Sequence, residues 1–343
     1  MNLKPPVKGS IPGTVVPVAT PFGSTVSTAT SGIIKGATVA TPGAVIRART
    51  MSRTLPAGGF SLISPAARAH LAPIQRSPVD NLDTYDTIVL SDWPVAYWPL
   101  AFGDPTDKSG NRLHGTFTGN PRRSTMWNGS SATVFDGASY STVSDNDLLE
   151  ITRTGILTIE AWMKPDAWAP PDYNMLTFAH TEGTGYVHWF GKGNRSGIGG
   201  NQSYTGRIYS NPNLEGRVNR ISGYVYNPIG AEAPGSYFQD PLTPVSWVHY
   251  TLTINAAARN FRRMGYVKIF RSGVLRDMDT LYGNDTNIAP VHPINGDAPF
   301  QVGTRDGVNS FFQGVIGKVA IYDYELEPER LVAHFIAMGS PPP

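Results

Sequence analysis

The chain has 343 residues, 40% hydrophobic and 16% charged, with 36 Gly, 29 Pro and no Cys. That composition predicts a soluble, turn-rich globular body and excludes a disulfide framework, a thiolate nucleophile and a thiolate metal site. Net charge is only +2, and no run of about 18 apolar residues is present to cross a membrane.

The first 79 residues hold eight Lys or Arg and no acidic residue, whereas the rest of the chain carries 20 basic and 26 acidic side chains. All seven Trp and all 15 Tyr lie at or beyond Tyr85. A basic segment is therefore joined to a mildly acidic, aromatic body, with the change falling near residues 80 to 92. "VATP" recurs at 18–21 and 39–42, a weak repeat in a Val/Ala/Thr/Pro-biased stretch. Ten prolines in these 79 residues forbid a long helix, and the β-branched residues between them favour extended backbone. Residues 1–88 read as an extended arm with too little apolar mass to fold alone, either pairing with exposed strand edges of a partner surface or forming a merely flexible tail. The opening "MNLKPPVKGSIPG" lacks the apolar centre of a signal peptide, so synthesis in the cytoplasm of the producing cell is expected.

Strand periodicity starts at Trp93. In "AYWPLAFGDPTDKSGNRLHGTFTG" (96–119) an apolar run, with Tyr97, Trp98 and Leu100, meets a polar turn that lets the chain cross to its neighbour. In "LTIEAWMK" (157–164), Leu157, Ile159, Ala161 and Met163 share one face and Thr158, Glu160, Trp162 and Lys164 the other, as in a half-buried strand. "WVHYTLTI" (247–254) alternates likewise, "GYVKIFRSGVLR" (265–276) predicts a hairpin about Ser272 and Gly273, and "GVIGKVAIYDY" predicts another strand. Only the end reads as helix: Pro328 suits its first position, Leu331, Val332 and Phe335 form a stripe, and Gly339 closes it. The predicted class is all-β, a two-sheet antiparallel jelly-roll sandwich over 89–343 with a short C-terminal helix, preceded by the extended arm.

"AYWPL", "DKSGNRLHG", "VFDGASYSTV", "LTIEAWMKP", "WVHYTLTI" and "FFQGVIGKVAIYDYELEPERLVAHF" stand in the order seen in laminin-G-like domains of the concanavalin A-like lectin/glucanase superfamily, which residues 93–338 resemble. The resemblance implies a curved jelly roll whose concave face or rim loops bind glycans, in some members beside a calcium ion. Two features differ from the family pattern. The stretch 165–245 is longer and richer in Gly, Asn, Tyr and Pro, and "RSGV" stands where an Asp-Gly turn is common.

Asp107, Asn111 and the carbonyls of the first turn, with Asp104 and Asp136, are hard oxygen donors suited to calcium, although such residues also cap their own turns. His114 reads as a hydrogen-bonded turn residue. Trp168, Tyr173, Tyr186, His188, Trp189, Tyr204 and Tyr209 concentrate in the loop-rich middle. Flat sugar faces stack on such rings while Asn, Gln and Arg satisfy hydroxyls, so these are the candidate carbohydrate contacts, with core packing the competing role for each. Nothing in the sequence predicts catalysis. No Glu-x-Asp-x-x-Glu strand of a glucanase is present, nor a zinc motif, a nucleophile elbow or a phosphate loop. Glu160 stands alone on its strand, and Asp277 and Asp279 read as solvated loop charge. Short Arg clusters on an acidic body argue against nucleic acid.

Three functions compete. The first is a structural virion protein of a tailed bacteriophage, a capsid decoration or minor tail protein, oligomeric in its assembly. Its residues 1–79 would dock on other virion proteins, and its lectin-like domain would meet a glycan of the host surface. The second is a secreted or cell-surface carbohydrate-binding module, and the third a glycoside hydrolase.

Overall fold

The computed structural model of the chain describes residues 83–166, 186–193, 200–209, 217, 219–228, 232–259, 264–279, 290–308, 310–339 and 341. The expected arm lies outside them up to residue 82. Among the described residues no helix is long and apolar enough to cross a membrane.

Helix α1 (Thr84–Ser91) comes first, then β1 (Ala96–Trp98), β2 (Gly115–Thr118), β3 (Arg122–Thr125), β4 (Ser131–Asp136) and β5 (Tyr140–Val143). β6 (Ile156–Pro165), β7 (Tyr186–Lys192), β8 (Tyr204–Tyr209), β9 (Ile221–Val225) and β10 (Gly235–Tyr237) follow. The chain continues through β11 (Val248–Arg259), β12 (Met264–Arg271), β13 (Val274–Met278), β14 (Phe300–Val302) and β15 (Gln313–Tyr322) to helix α2 (Pro328–Met338). One sheet runs β13-β12-β11-β6-β15-β4-β3 with β1 added on β15, and the other runs β10-β9-β8-β7-β14-β5-β2. The two antiparallel sheets form the sandwich expected of a jelly roll.

The alternation read from sequence sets the inner faces. Leu157, Ile159, Ala161 and Met163 on β6 and Val248, Tyr250, Leu252 and Ile254 on β11 fill the space between the sheets. The β12–β13 hairpin closes where expected, on Ser272 and Gly273 with φ of 55° and 76°, the left-handed pair a two-residue turn needs. A Cβ at Gly273 would also lie 2.6 Å from the Val332 side chain, so glycine is demanded twice.

The outer face of the first sheet departs from the half-buried pattern. Thr158, Glu160 and Trp162 have no exposure, because α1 and α2 cover them and make a second apolar cluster with Tyr85, Val89, Leu90, Leu331 and Met338. In α2 the buried stripe is Leu331, His334 and Met338 rather than one containing Val332, which is 38% exposed. Helix α1 was not expected at all. Asp83 caps it, its carboxylate accepting from the Asp86 N–H while the Asp86 carboxylate accepts from the Asp83 N–H. It spans the 88/89 boundary drawn from sequence, so residues 83–88 pack on the globular body.

Glu160, far from standing alone, accepts from the hydroxyls of Tyr85 at 2.8 Å and Tyr322 at 3.2 Å and meets His249 Nε2 at 2.7 Å and His334 Nδ1 at 2.8 Å. His334 Nε2 reaches Asp92 at 2.8 Å, and Lys318, 3% exposed at its side chain, pairs with Asp86 at 2.6 Å and Asp83 at 3.0 Å. Asp277 and Asp279 are not solvated loop charges either. Asp277 lies in β13 and accepts from the Tyr237 N–H, and Asp279, 2% exposed, accepts from the Val267 N–H.

Candidate functional site: the outer face of the second sheet

Strand β8 alternates cleanly. Tyr204 and Ile208 point into the core, and between them a Cβ at Gly206 would fall 2.2 Å from the Phe190 ring, so Thr205, Arg207 and Tyr209 point outward. Across the ladder Arg207 faces His188 of β7 and Ser222 of β9, Tyr209 faces Tyr186, and Thr205 faces Tyr224. Tyr209, Tyr224 and Tyr226 form a cluster separate from the core, with Tyr186 and Tyr237 against it.

The centre of this face is the Arg207 guanidinium, 4.3 Å from the Tyr186 ring centroid, 4.6 Å from Tyr224 and 5.0 Å from Tyr209. Its nitrogens donate to Tyr209 Oη at 3.1 Å and Ser222 Oγ at 3.3 Å. Each ring contact contributes about 0.5–2 kcal/mol, so the rings fix the guanidinium in one orientation. Arg217 extends the row, 4.3 Å from the Tyr237 centroid and donating to Tyr209 Oη. At the other end Gln202 Nε2 donates to Tyr224 Oη at 2.5 Å, and the Arg305 stem lies on Gly191 of β7, where a Cβ would meet its Cγ at 2.8 Å. Arg305 donates to Gln202 Oε1 at 3.5 Å and Asp306 at 3.4 Å and lines an open cavity of about 100 Å³ with Asn201, Gln301 and Asp306. His188 is 3% exposed. Burial, and after it the charges of Arg305 and Arg207, push its pKa well below 6.5, so the ring is neutral.

Of the seven expected carbohydrate contacts, Tyr186, His188 and Tyr209 are brought together here. Trp168 and Tyr173 lie outside the described residues. Trp189 and Tyr204 are corrections: Trp189 shares the inward face of Val187 and lies edge-on to Tyr250 at 4.8 Å, and Tyr204 donates to the Leu149 carbonyl from inside the core. Arg207, Tyr224, Tyr237, Gln202 and Arg305 were missed. Strand alternation relates Arg207 to Tyr209, but the placement of Arg305, from the segment that follows β14, on Gly191 of β7 is purely tertiary.

The four expected calcium ligands each serve a turn. Asp107, 5% exposed, accepts from the N–H groups of Tyr97, Ser109 and Leu113 and from Ser109 Oγ, all at 2.8–3.0 Å. Asp104 accepts from the Thr106 N–H and pairs with Lys108, Asn111 donates to the Val95 carbonyl, and Asp136 accepts from the Ala138 and Ser139 N–H groups. His114 accepts from the Asp107 N–H, as a turn residue would. Among the described residues no three His, Asp or Glu side chains are grouped to hold a metal ion. Asp107→Ala is expected to cost about 1–3 kcal/mol through the N–H groups it orphans, equally with calcium or with a chelator. Paired thermal melts check this, and calcium stabilisation seen in the parent and lost in the variant would place the ion in this turn.

A family model described as the concanavalin A-like lectin/glucanases superfamily matches residues 135–331. No curated protein matches the sequence. Among solved structures, the binding domain of botulinum neurotoxin DC in complex with rat synaptotagmin II aligns over 73% of this chain and 52% of its own, at 14% identity and a TM-score of 0.51. The botulinum neurotoxin serotype C1 binding domain aligns over 73% and 53%, at 12% identity and a TM-score of 0.49. The chain thus spans about half the length of these toxin domains. Domain 4 of the extracellular arabinanase AbnA from Geobacillus stearothermophilus, in complex with arabinotriose, aligns over 70% of this chain and 97% of its own, at 17% identity and a TM-score of 0.49.

Proposed function

Because the chain belongs to the concanavalin A-like lectin/glucanases superfamily, we propose that its outer sheet face binds a saccharide without cleaving it, and that the chain displays this face as a structural protein of a tailed-bacteriophage virion. The observation that carries the binding half is the row of rings and guanidiniums centred on Arg207. Half-buried Tyr186 and Tyr237 offer the accessible rings, and half-buried Arg207 and Arg217 offer donors for hydroxyls. This face collects rings and cations, whereas hydrolysis needs two carboxylates about 5–10 Å apart across the scissile bond. The virion half is supported by composition: eight cations and no anion over residues 1–79 joined to a lectin-like body.

Stacking contributes about 0.5–1.5 kcal/mol per ring, so Tyr186→Ala and Tyr237→Ala are each expected to weaken binding roughly twofold to tenfold on a glycan array, with no reducing ends released. Unchanged binding in both variants moves the saccharide elsewhere, and released reducing ends restore the hydrolase. The second arm of the test mixes full-length chain, and chain lacking residues 1–79, with particles that lack the protein. Attachment through a basic arm slows as the Debye length falls from about 10 Å at 0.1 M salt to about 3 Å at 1 M. Equal co-sedimentation of both forms would assign anchoring to the globular domain.

A further inference from the structure

On this face His188 and Arg305 have buried nitrogens without a partner, and Arg207 beside them is hydrogen-bonded but not ion-paired among the described residues. Neither ring nitrogen of His188 has a hydrogen-bond partner, although the side chain is buried. A neutral imidazole offers one donor and one acceptor, and each such group left bare in the interior costs about 1–3 kcal/mol. Arg207 has tyrosine rings, a tyrosine hydroxyl and a serine hydroxyl around it, and among the described residues no carboxylate within ion-pair distance. Arg305 Nε is buried without a partner, and its terminal nitrogens reach Gln202 and Asp306 only at 3.4–3.5 Å, the outer limit of hydrogen bonding. Asp306 offsets part of the Arg305 charge and none of the Arg207 charge that the structure records.

These groups are adjacent. Arg207 is the cross-strand partner of His188, and Arg305 lies on Gly191 of the same strand and the same face. Gln202 links them, accepting from Arg305 and donating to Tyr224, whose ring packs against Arg207. Two planar guanidiniums flanking a buried imidazole that lacks both of its hydrogen bonds form a seat for a planar or tetrahedral oxyanion, since guanidinium forks match such groups two hydrogen bonds at a time. A neutral hydroxyl would satisfy one nitrogen, leaving the Arg207 charge without a carboxylate partner and the Arg305 charge only partly offset by Asp306.

We infer that the saccharide this face takes is acidic, its carboxylate or sulfate ester seated against Arg207, Arg305 and His188. This rests on the saccharide-binding reading above.

The test measures binding of the full-length chain to saccharides offered in pairs: galacturonate, glucuronate and sialate oligosaccharides beside their methyl esters, and sulfated oligosaccharides beside their desulfated forms. The acidic member of at least one pair is expected to bind at least about tenfold more tightly than its neutral twin, and the uronate, sialate and sulfate pairs distinguish the anion. Arg305→Gln is expected to remove that preference, so that the acidic member binds no more tightly than its neutral twin. The parent comparison stands even if that variant folds poorly. Equal affinity within every pair overturns the acidic ligand while leaving a neutral saccharide in place. Failure of every acidic and neutral saccharide to bind overturns both readings.

Discussion

Glu160→Gln is expected to lower the melting temperature by about 6–20 °C, the shift corresponding to the roughly 3–5 kcal/mol lost when one partner of a buried ion pair is removed from a domain of this size. The carboxylate has no exposure and four partners drawn from α1, β11, β15 and α2. Burial alone would raise its pKa, but the charges and hydrogen bonds of His334 and His249 hold it far below the ordinary 4.5. His334 answers in kind. Burial opposes its charge, yet Glu160 on one ring nitrogen and Asp92 on the other lift its pKa from 6.5 to about 9. A histidine raised on folding stabilises fully below its unfolded value and loses that contribution as pH climbs through its folded value. The parent should therefore lose melting temperature between about pH 6.5 and 9. Glu160→Gln, in which the main cause of the shift is gone, should show a flatter profile over the same window. Calorimetry from pH 6 to 9.5 reads both effects, and superimposable profiles would show that the network carries no charge coupling.

A fragment beginning at Val89 is expected to show no cooperative unfolding, whereas one beginning at Asp83 should melt like the full chain. The cut at Val89 removes Asp83 and Asp86, both partners of the buried Lys318 ammonium, and an orphaned buried charge costs about 3–5 kcal/mol. It also deletes Tyr85, which is fully buried and bonded to Glu160, and unwinds the turn that holds Val89 and Leu90 under the sheet. Each of those apolar side chains contributes about 1.5–3 kcal/mol, so the losses approach the whole 5–15 kcal/mol stability of an ordinary domain. Circular-dichroism melts of the two fragments decide it. A cooperative transition in the Val89 fragment would show that α1 decorates the sandwich without supporting it.

The sequence by itself determined the sandwich and the inward residues of β6 and β11, because strand geometry sends alternate side chains to opposite sides whatever lies beyond them. It also determined the Ser272–Gly273 hairpin and the start of the closing helix at Pro328, where local dihedral demands name the residues. Alternation cannot say what covers an outer face. Glu160 read as standing alone on its strand because its partners Tyr85 and His334 lie 75 and 174 residues away, on helices that only the tertiary structure brings over the sheet. Helix α1 had a local signal in its Asp83–Asp86 capping box, but its eight residues are too few to be stable without the packing that buries Tyr85 and Leu90. The candidate site divides along the same line. Tyr186, His188 and Tyr209 were legible as candidate contacts by residue type, but a loop-rich reading of the stretch could not say that they stand on paired strands, where alternation sends Tyr186 and His188 outward and Val187 and Trp189 inward. Arg305 lies on Gly191 only because β14 pairs with β7, so tertiary pairing added its charge to that of Arg207 on this face.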